Sequence, residues 1–175
     1  MEPIGLTMIK LLLFCACLFV TNTYALTSNK LEAIHFKAGH VTFNDEKGIG
    51  TYTNGVSIDQ GSAHLRANHA TTLMDKKHRL TRATAFGSAD KKAHFWTLTA
   101  PDKPPLHAYA DTIYYHPLKH ELELIGHAHI IQGNNKLTAP HIRYDTEAER
   151  LMTTAKNKER TVILIDPAEH PEKHL

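Results

Sequence analysis

The ten residues Gln60-Gly61-Ser62-Ala63-His64-Leu65-Arg66-Ala67-Asn68-His69 return 72 positions later as Gln132-Gly133-Asn134-Asn135-Lys136-Leu137-Thr138-Ala139-Pro140-His141. Both fit the pattern Q-G-x-x-x-L-x-A-x-H. A second phrase, alanine then aliphatic then aromatic, occurs at Ala38, Val41 and Phe43 and again, at the same offset, at Ala110, Ile113 and Tyr115. It returns at Ala139, Ile142 and Tyr144. Two phrases that share one offset describe a chain made of two copies of a strand-turn-strand unit, stacked as a β-array. In each copy the Gln-Gly pair marks a tight turn whose glycine accepts a positive φ. The alanine further along sits where a larger side chain would crowd the neighbouring layer.

Outward from these phrases the chain alternates apolar and polar residues, the period of a half-buried strand. Ile34 and Phe36, Val41 and Phe43, Val56 and Ile58, Leu122 and Leu124, Ala128 and Ile130, Ile142 and Tyr144, and Val162 and Leu164 all follow it. Turn signals separate them at Asn44-Asp45, Asn54-Gly55, Gln60-Gly61, Asp75-Lys76, Ser88-Ala89-Asp90, the proline-rich stretch 101–105, His116-Pro117, Gly133-Asn134 and 145–149. Short strands at such spacing predict an all-β sandwich, barrel or jelly roll. Only residues 146–153 offer a short helical turn.

The first 25 residues read differently. Lys10 precedes an unbroken apolar run over residues 11–20, then Thr21 to Thr23 and a Thr-x-Ala site ending at Ala25. That is the plan of a secretory signal peptide cleaved after Ala25, with Met8 as a possible alternative start. The run is too short to span a bilayer as a helix. The expected organisation is therefore a signal over 1–25, one domain over 26–167 and a polar tail over 168–175. Both cysteines, Cys15 and Cys17, lie inside the signal. The exported protein has no thiol, which excludes disulfides, cysteine-ligated metal and a thiol nucleophile.

The chain's 20 Lys+Arg against 18 Asp+Glu give a net charge of +2, far from the bias of a nucleic-acid binder. No G-x-S-x-G and no glycine-rich phosphate loop occurs, and the carboxylates cluster in turns beside lysines, so no catalytic residue is assigned. Fourteen histidines invite a metal site. His127-Ala128-His129 would place two rings on one strand face, with His116 and His120 nearby, but no third ligand has a fitting spacing. They read as scattered, solvated histidines, and neither a metal nor a cofactor is expected.

The apolar faces carry more information. Ile34, Phe36, Phe43, Ile58, Leu65, Phe86, Phe95, Tyr115, Leu122, Leu124, Ile130, Leu137 and Ile142 are expected to line one side of the strands. A dry sandwich core would account for each singly. Beyond the signal, however, only about 37% of residues are apolar, many of them alanine, which is sparse for two filled sheets. A trough completed by lipid would supply the missing half. The stretch Thr161-Val162-Ile163-Leu164-Ile165 is apolar on both faces, and at the other end Leu31 and Ile34 open the first strand. Both are expected to be free edges that pair with other chains, head to tail.

Tyr52-x-x-Gly55-Val56-x-x-x-Gln60-Gly61-x-x-x-Leu65-x-Ala67 resembles the pattern of the OstA-like domain family. So do Ala110-Asp111-x-Ile113-x-Tyr115 and Leu122-x-Leu124-x-Gly126-x-Ala128-x-Ile130-x-Gln132. The resemblance runs from about Ala33 to Pro167. It implies a twisted, open β-jelly roll of antiparallel strands whose apolar groove shields the acyl chains of lipid A, with Ile34 near its mouth and Phe95 and Tyr115 midway. It further implies a periplasmic lipopolysaccharide carrier joined to an LptC-like inner-membrane protein at the N-terminal edge and an LptD-like outer-membrane protein at the C-terminal edge. Alternatives are an LptC-like bridge component, a structural or adhesive β-protein with a dry core, and a histidine-based metal binder. The stretch 101–105 is stiffer than the family pattern requires.

Overall fold

In the computed structural model, residues 32–155 and 160–166 are described. Residues 1–31, 156–159 and 167–175, which include the expected signal, Leu31 and the polar tail, lie outside them. Among the described residues there are fourteen strands, all paired antiparallel in one sheet, and one short 3-10 turn at Pro117–Lys119. No helix among them is long and apolar enough to cross a membrane. The strands are β1 (Ile34–Lys37), β2 (His40–Asn44), β3 (Ile49–Thr53), β4 (Val56–Gln60), β5 (Ala63–Ala67), β6 (His69–Met74) and β7 (Leu80–Phe86). The second half contains β8 (Ala93–Thr97), β9 (Leu106–Ala110), β10 (Thr112–His116), β11 (Glu121–Gln132), β12 (Asn135–Asp145), β13 (Arg150–Thr154) and β14 (Val162–Leu164).

The sheet folds over into two leaves. The first runs β1-β4-β5-β8-β9 and the second β2-β3-β6-β7-β10. The long strands β11 and β12 belong to both: one half of β11 pairs with β10 and the other with β9, while β12 pairs with β13 at one end and β14 at the other. The chain therefore winds from leaf to leaf through a row of corners. Hydrogen bonds tie these corners in series: Gly39 N–H to Asn54 C=O, Gly55 to Asn68, Asn68 to Phe86, Gly87 to Asp111 and Asp111 to Gly126. One side of the roll is closed by this seam. The hairpin turns on the opposite side form two facing lips.

The 72-residue offset is built into this winding. It carries β1 and β2 onto β9 and β10, β3 and β4 onto β11, and β5 and β6 onto β12. Even the corners match, since Asn54-Gly55 (φ 64° and 79°) corresponds to Gly126-His127 (φ 79° and 45°). At Gly126 a Cβ would collide with the Asp111 carboxylate, so the left-handed bend and the close approach both require glycine. The Gln-Gly turns behave as expected, with Gly61 at φ 55° and Gly133 at φ 58°.

Between the leaves lies a packed centre. Phe95, Ile113, Leu122, Leu124 and Ile142 are fully buried, and nine further buried apolar positions are alanines, among them Ala70, Ala85 and Ala108. Alanine accounts for the sparse apolar count: small residues let the leaves approach, so the centre fills without many large side chains. The expectation that lipid supplies half the core is thus corrected for the middle of the molecule. Two further corrections concern local structure. Residues 146–149 form a turn and the chain re-enters the sheet as β13, with no helical turn there. Phe86 stacks on His69 on the outer face, because it shares a face with Thr112 while its neighbour Ala85 opposes buried Ile113.

Candidate functional site

The leaves diverge toward both ends of the roll, leaving a cleft at each. At the N-terminal end a cleft of about 670 Å³ has Ile34, Phe36 and Gln60 on the first leaf facing Met74, Leu80, Pro117 and Leu118 on the second. Its size falls in the range of small-molecule sites. Besides Gln60 in the wall, the polar lining residues are Glu32, His78 and Arg79, the last paired with Asp75 at 2.6 Å. The backbone and guanidinium N–H groups of Arg79 hold the Asp75 carboxyl down at about 2. Phe36 stacks on Tyr52 across the leaves at 5.1 Å and closes the inner wall.

The C-terminal cleft is smaller, about 210 Å³. Leu106, Ile130 and Leu137 line it with Ile163, Leu164 and Ile165 on the first leaf, against Tyr144 and Leu151 on the second. Between the clefts Phe95 from β8 meets Tyr115 from β10 at 5.1 Å. Burial pushes Tyr115 up to about 12, as it does Tyr144, so both hydroxyls stay protonated donors at any physiological pH. The proline-rich loop spans the lips near this point. Gln132 Nε2 donates to Thr99 Oγ1 and to the Pro104 carbonyl, and Lys103 reaches Glu149 on the opposite lip at 2.6 Å.

The assigned groove residues therefore fall into distinct groups. Ile58, Leu65, Phe95, Leu122, Leu124, Ile130 and Ile142 are buried, while Ile34, Phe36, Tyr115 and Leu137 are partly buried against the core. Phe43 lies on the inner face, opposite Gly50, yet is 44% exposed because β2 is an edge strand. Val41 beside it is 51% exposed. Of the partner edges, Leu31 is outside the described residues. Ile34 belongs to β1, which among the described residues has no strand on its outer side, and Val162, Ile163, Leu164 and Ile165 are 59–72% exposed at the other end. Each leaf thus leaves a free edge at both ends of the roll.

Several lining residues escape the sequence reading. Met74, Leu80, Pro117 and Leu118 belong to turns or turn-proximal positions, and only the folding-over of the sheet brings them opposite Ile34 and Phe36. The histidines are also more organised than expected. On the outer face of the first leaf His64 stacks on Trp96, and His94 and His129 sandwich Tyr109 at 4.1 and 4.8 Å. His94 Nε2 lies 3.0 Å from His107 Nδ1. Burial, with His107 and Arg66 nearby, lowers His94 to about 4. Burial would raise the Asp59 carboxyl, but Arg66, His64 and Ser57 outweigh it and bring it to about 2. His127 sits instead in the β11 corner, paired with Asp111 at 2.7 Å, so the bulge separates it from His129 and the expected two-ring strand face does not form. Among the described residues no three His or carboxylate groups converge as a metal site would need.

The family described as LptA/(LptD N-terminal domain) LPS transport protein matches residues 35–150. The chain is 32% identical over 125 residues to the lipopolysaccharide export system protein LptH of Pseudomonas aeruginosa, covering 71% of this chain and 70% of that one. It is 23% identical over 162 residues to the lipopolysaccharide export system protein LptA of Haemophilus influenzae, covering 90% and 92%. The fold superposes with a TM-score of 0.74 on the crystal structure of Pseudomonas aeruginosa LptH, described as the LptA-homologous periplasmic component of the conserved lipopolysaccharide transport device. That match has 28% identity and covers 80% of this chain and 99% of the other.

Proposed function

The chain belongs to the LptA/(LptD N-terminal domain) family of lipopolysaccharide transport proteins, and from that premise we propose that it is a periplasmic carrier holding lipid A acyl chains between its two leaves. The observation that supports this most is the pairing of apolar clefts with free strand edges at the same ends of the roll. A cleft that ends at an unpaired edge continues into the next subunit once that edge is paired. In this reading β14 of one copy adds to β1 of the next, an LptC-like protein takes the N-terminal edge and an LptD-like protein the C-terminal one. The signal over residues 1–25 delivers the domain over 26–167 to the periplasm. No bond is made or broken, so the protein is a binding component and not an enzyme.

Transit between the clefts requires the Phe95–Tyr115 contact to yield, because the centre is filled by protein. Cargo movement is then a parting of the leaves with each acyl chain replacing protein contacts by its own, at about 0.8 kcal/mol per buried methylene. The test is a photo-crosslinking side chain at Phe36 or Leu118 in the cleft and at Thr51 on the outer face. Lipopolysaccharide adducts are expected at the first two; adducts only at Thr51 would contradict the reading. The packed centre favours one rival, a structural β-protein with a dry core, for which neither cleft position yields an adduct. Deleting residues 162–165 is expected to abolish the C-terminal contact, read as lost co-purification with outer-membrane fractions.

A further inference from the structure

Gln60 is 7% exposed on the wall of the N-terminal cleft, and the two ends of its amide fare differently. Nε2 donates to the Glu32 carbonyl at 3.3 Å. Oε1 is the one buried side-chain oxygen or nitrogen among the described residues without a hydrogen-bond partner. The orientation is fixed by chemistry, since the Glu32 carbonyl can only accept and must face the nitrogen. A buried acceptor left unmet is costly, and a cleft built only for plain hydrocarbon would be better served by leucine at this position.

The internal repeat sharpens the contrast. Its counterpart one repeat later, Gln132, uses Nε2 to hold Thr99 Oγ1 and the Pro104 carbonyl and so fastens the proline-rich loop. Gln60 has no such loop to hold. It ends β4 beside the exposed turn residue Gly61, opposite Ile34 of the edge strand. Phe36 pairs one step further from the lip, opposite Ile58. Gln60 therefore stands near the lip with its oxygen covered by the surrounding protein until the leaves part, and the head end of an inserted chain would lie there with its tail running past Phe36.

We propose that Gln60 Oε1 accepts a hydrogen bond from a hydroxyl or amide N–H near the head end of an acyl chain, so that the N-terminal cleft selects donor-bearing chains over plain ones. The inference rests on the carrier reading and names the chemistry its first cleft recognises. A net hydrogen bond of ordinary strength corresponds to a preference of about three- to tenfold.

The experiment measures binding of 3-hydroxytetradecanoate and of tetradecanoate to the processed protein by displacement of a fluorescent fatty acid. Wild type is expected to favour the hydroxylated chain by about three- to tenfold. Gln60→Leu is expected to bind both equally, with the plain chain held at least as well as before. Gln60→Met, which keeps the side chain's length, gives the same levelling and guards against a folding defect in the leucine variant. Gln132→Leu is expected to keep the preference. A wild type without preference, or a preference that survives in both Gln60 variants while plain chains still bind, overturns the inference alone. Binding of neither chain, with no lipopolysaccharide adduct at Phe36, overturns the carrier reading and this inference with it.

Discussion

The middle of the roll and its two ends are made of the same repeating unit but solve opposite problems. In the middle, alanines bring the leaves together around Phe95, Ile113, Leu124 and Ile142, and burial is complete. At the ends the same alternation leaves Val41 and Phe43 on one side and Val162, Ile163 and Leu164 on the other largely in water. The difference follows from neighbours alone: an inner-facing residue is buried only if strands flank it on both sides and the opposite leaf is close. Stability thus resides in the centre, while the ends leave apolar surface uncovered.

The largest expected effect attacks the centre. Leu124→Ala, at a fully buried position, is expected to lower stability by about 2–5 kcal/mol in urea unfolding, whereas Phe43→Ala at the N-terminal edge should cost under about 1 kcal/mol. Equal costs would erase the contrast. Overpacking comes next: Ala108→Leu introduces volume where the leaves touch and is expected to cost about 1–3 kcal/mol. An unchanged unfolding midpoint would mean the leaves already separate there.

A third effect is set by pH. His94, on the outer face of the strand that carries Phe95, titrates near 4 when folded against 6.5 in its unperturbed state. The unfolded chain binds the proton first, so stability is full above about 6.5 and falls as pH drops toward 4. After allowance for solvent screening the loss is about 1–2 kcal/mol. His94→Gln is expected to flatten urea midpoints across that window. Asp59 acts lower, its contribution being lost as pH falls from 3.8 toward about 2. The smallest effect on stability belongs to the C-terminal edge. Ile163→Lys should leave the unfolding midpoint within about 0.5 kcal/mol yet abolish head-to-tail association in sedimentation experiments; retained association would detach that edge from assembly.

How much of this is legible in the sequence depends on distance along the chain. Strands such as Val56–Gln60 and their Gln-Gly turns read directly, because alternation and turn chemistry are local. The repeat reads too, and it survives into the corners. Which face a residue takes is harder: the corners at Asn54-Gly55 and Gly126-His127 insert left-handed residues that shift the phase of the alternation. The linear order therefore places His127 beside His129, and it places Phe86 inside although Ala85 is the residue that faces Ile113. Alanine misleads in another way, since a small side chain reads as missing core when it in fact permits close contact. The His94–His107 and Tyr109–His129 contacts depend on cross-strand register and leave no mark in the linear order. Gln60 reads as a turn residue, and only its unmet oxygen identifies it as part of the cleft.

The proposed transit carries cargo between leaves whose middle is closed at rest. It is tested most directly by spin labels at Leu98 and Lys119, on opposite lips beside the Phe95–Tyr115 contact, with the distance measured by pulsed electron resonance before and after adding lipopolysaccharide. A single short distance is expected in the free protein, lengthening when lipopolysaccharide binds. An unchanged distance at saturating lipopolysaccharide would place the cargo outside the leaves and contradict it.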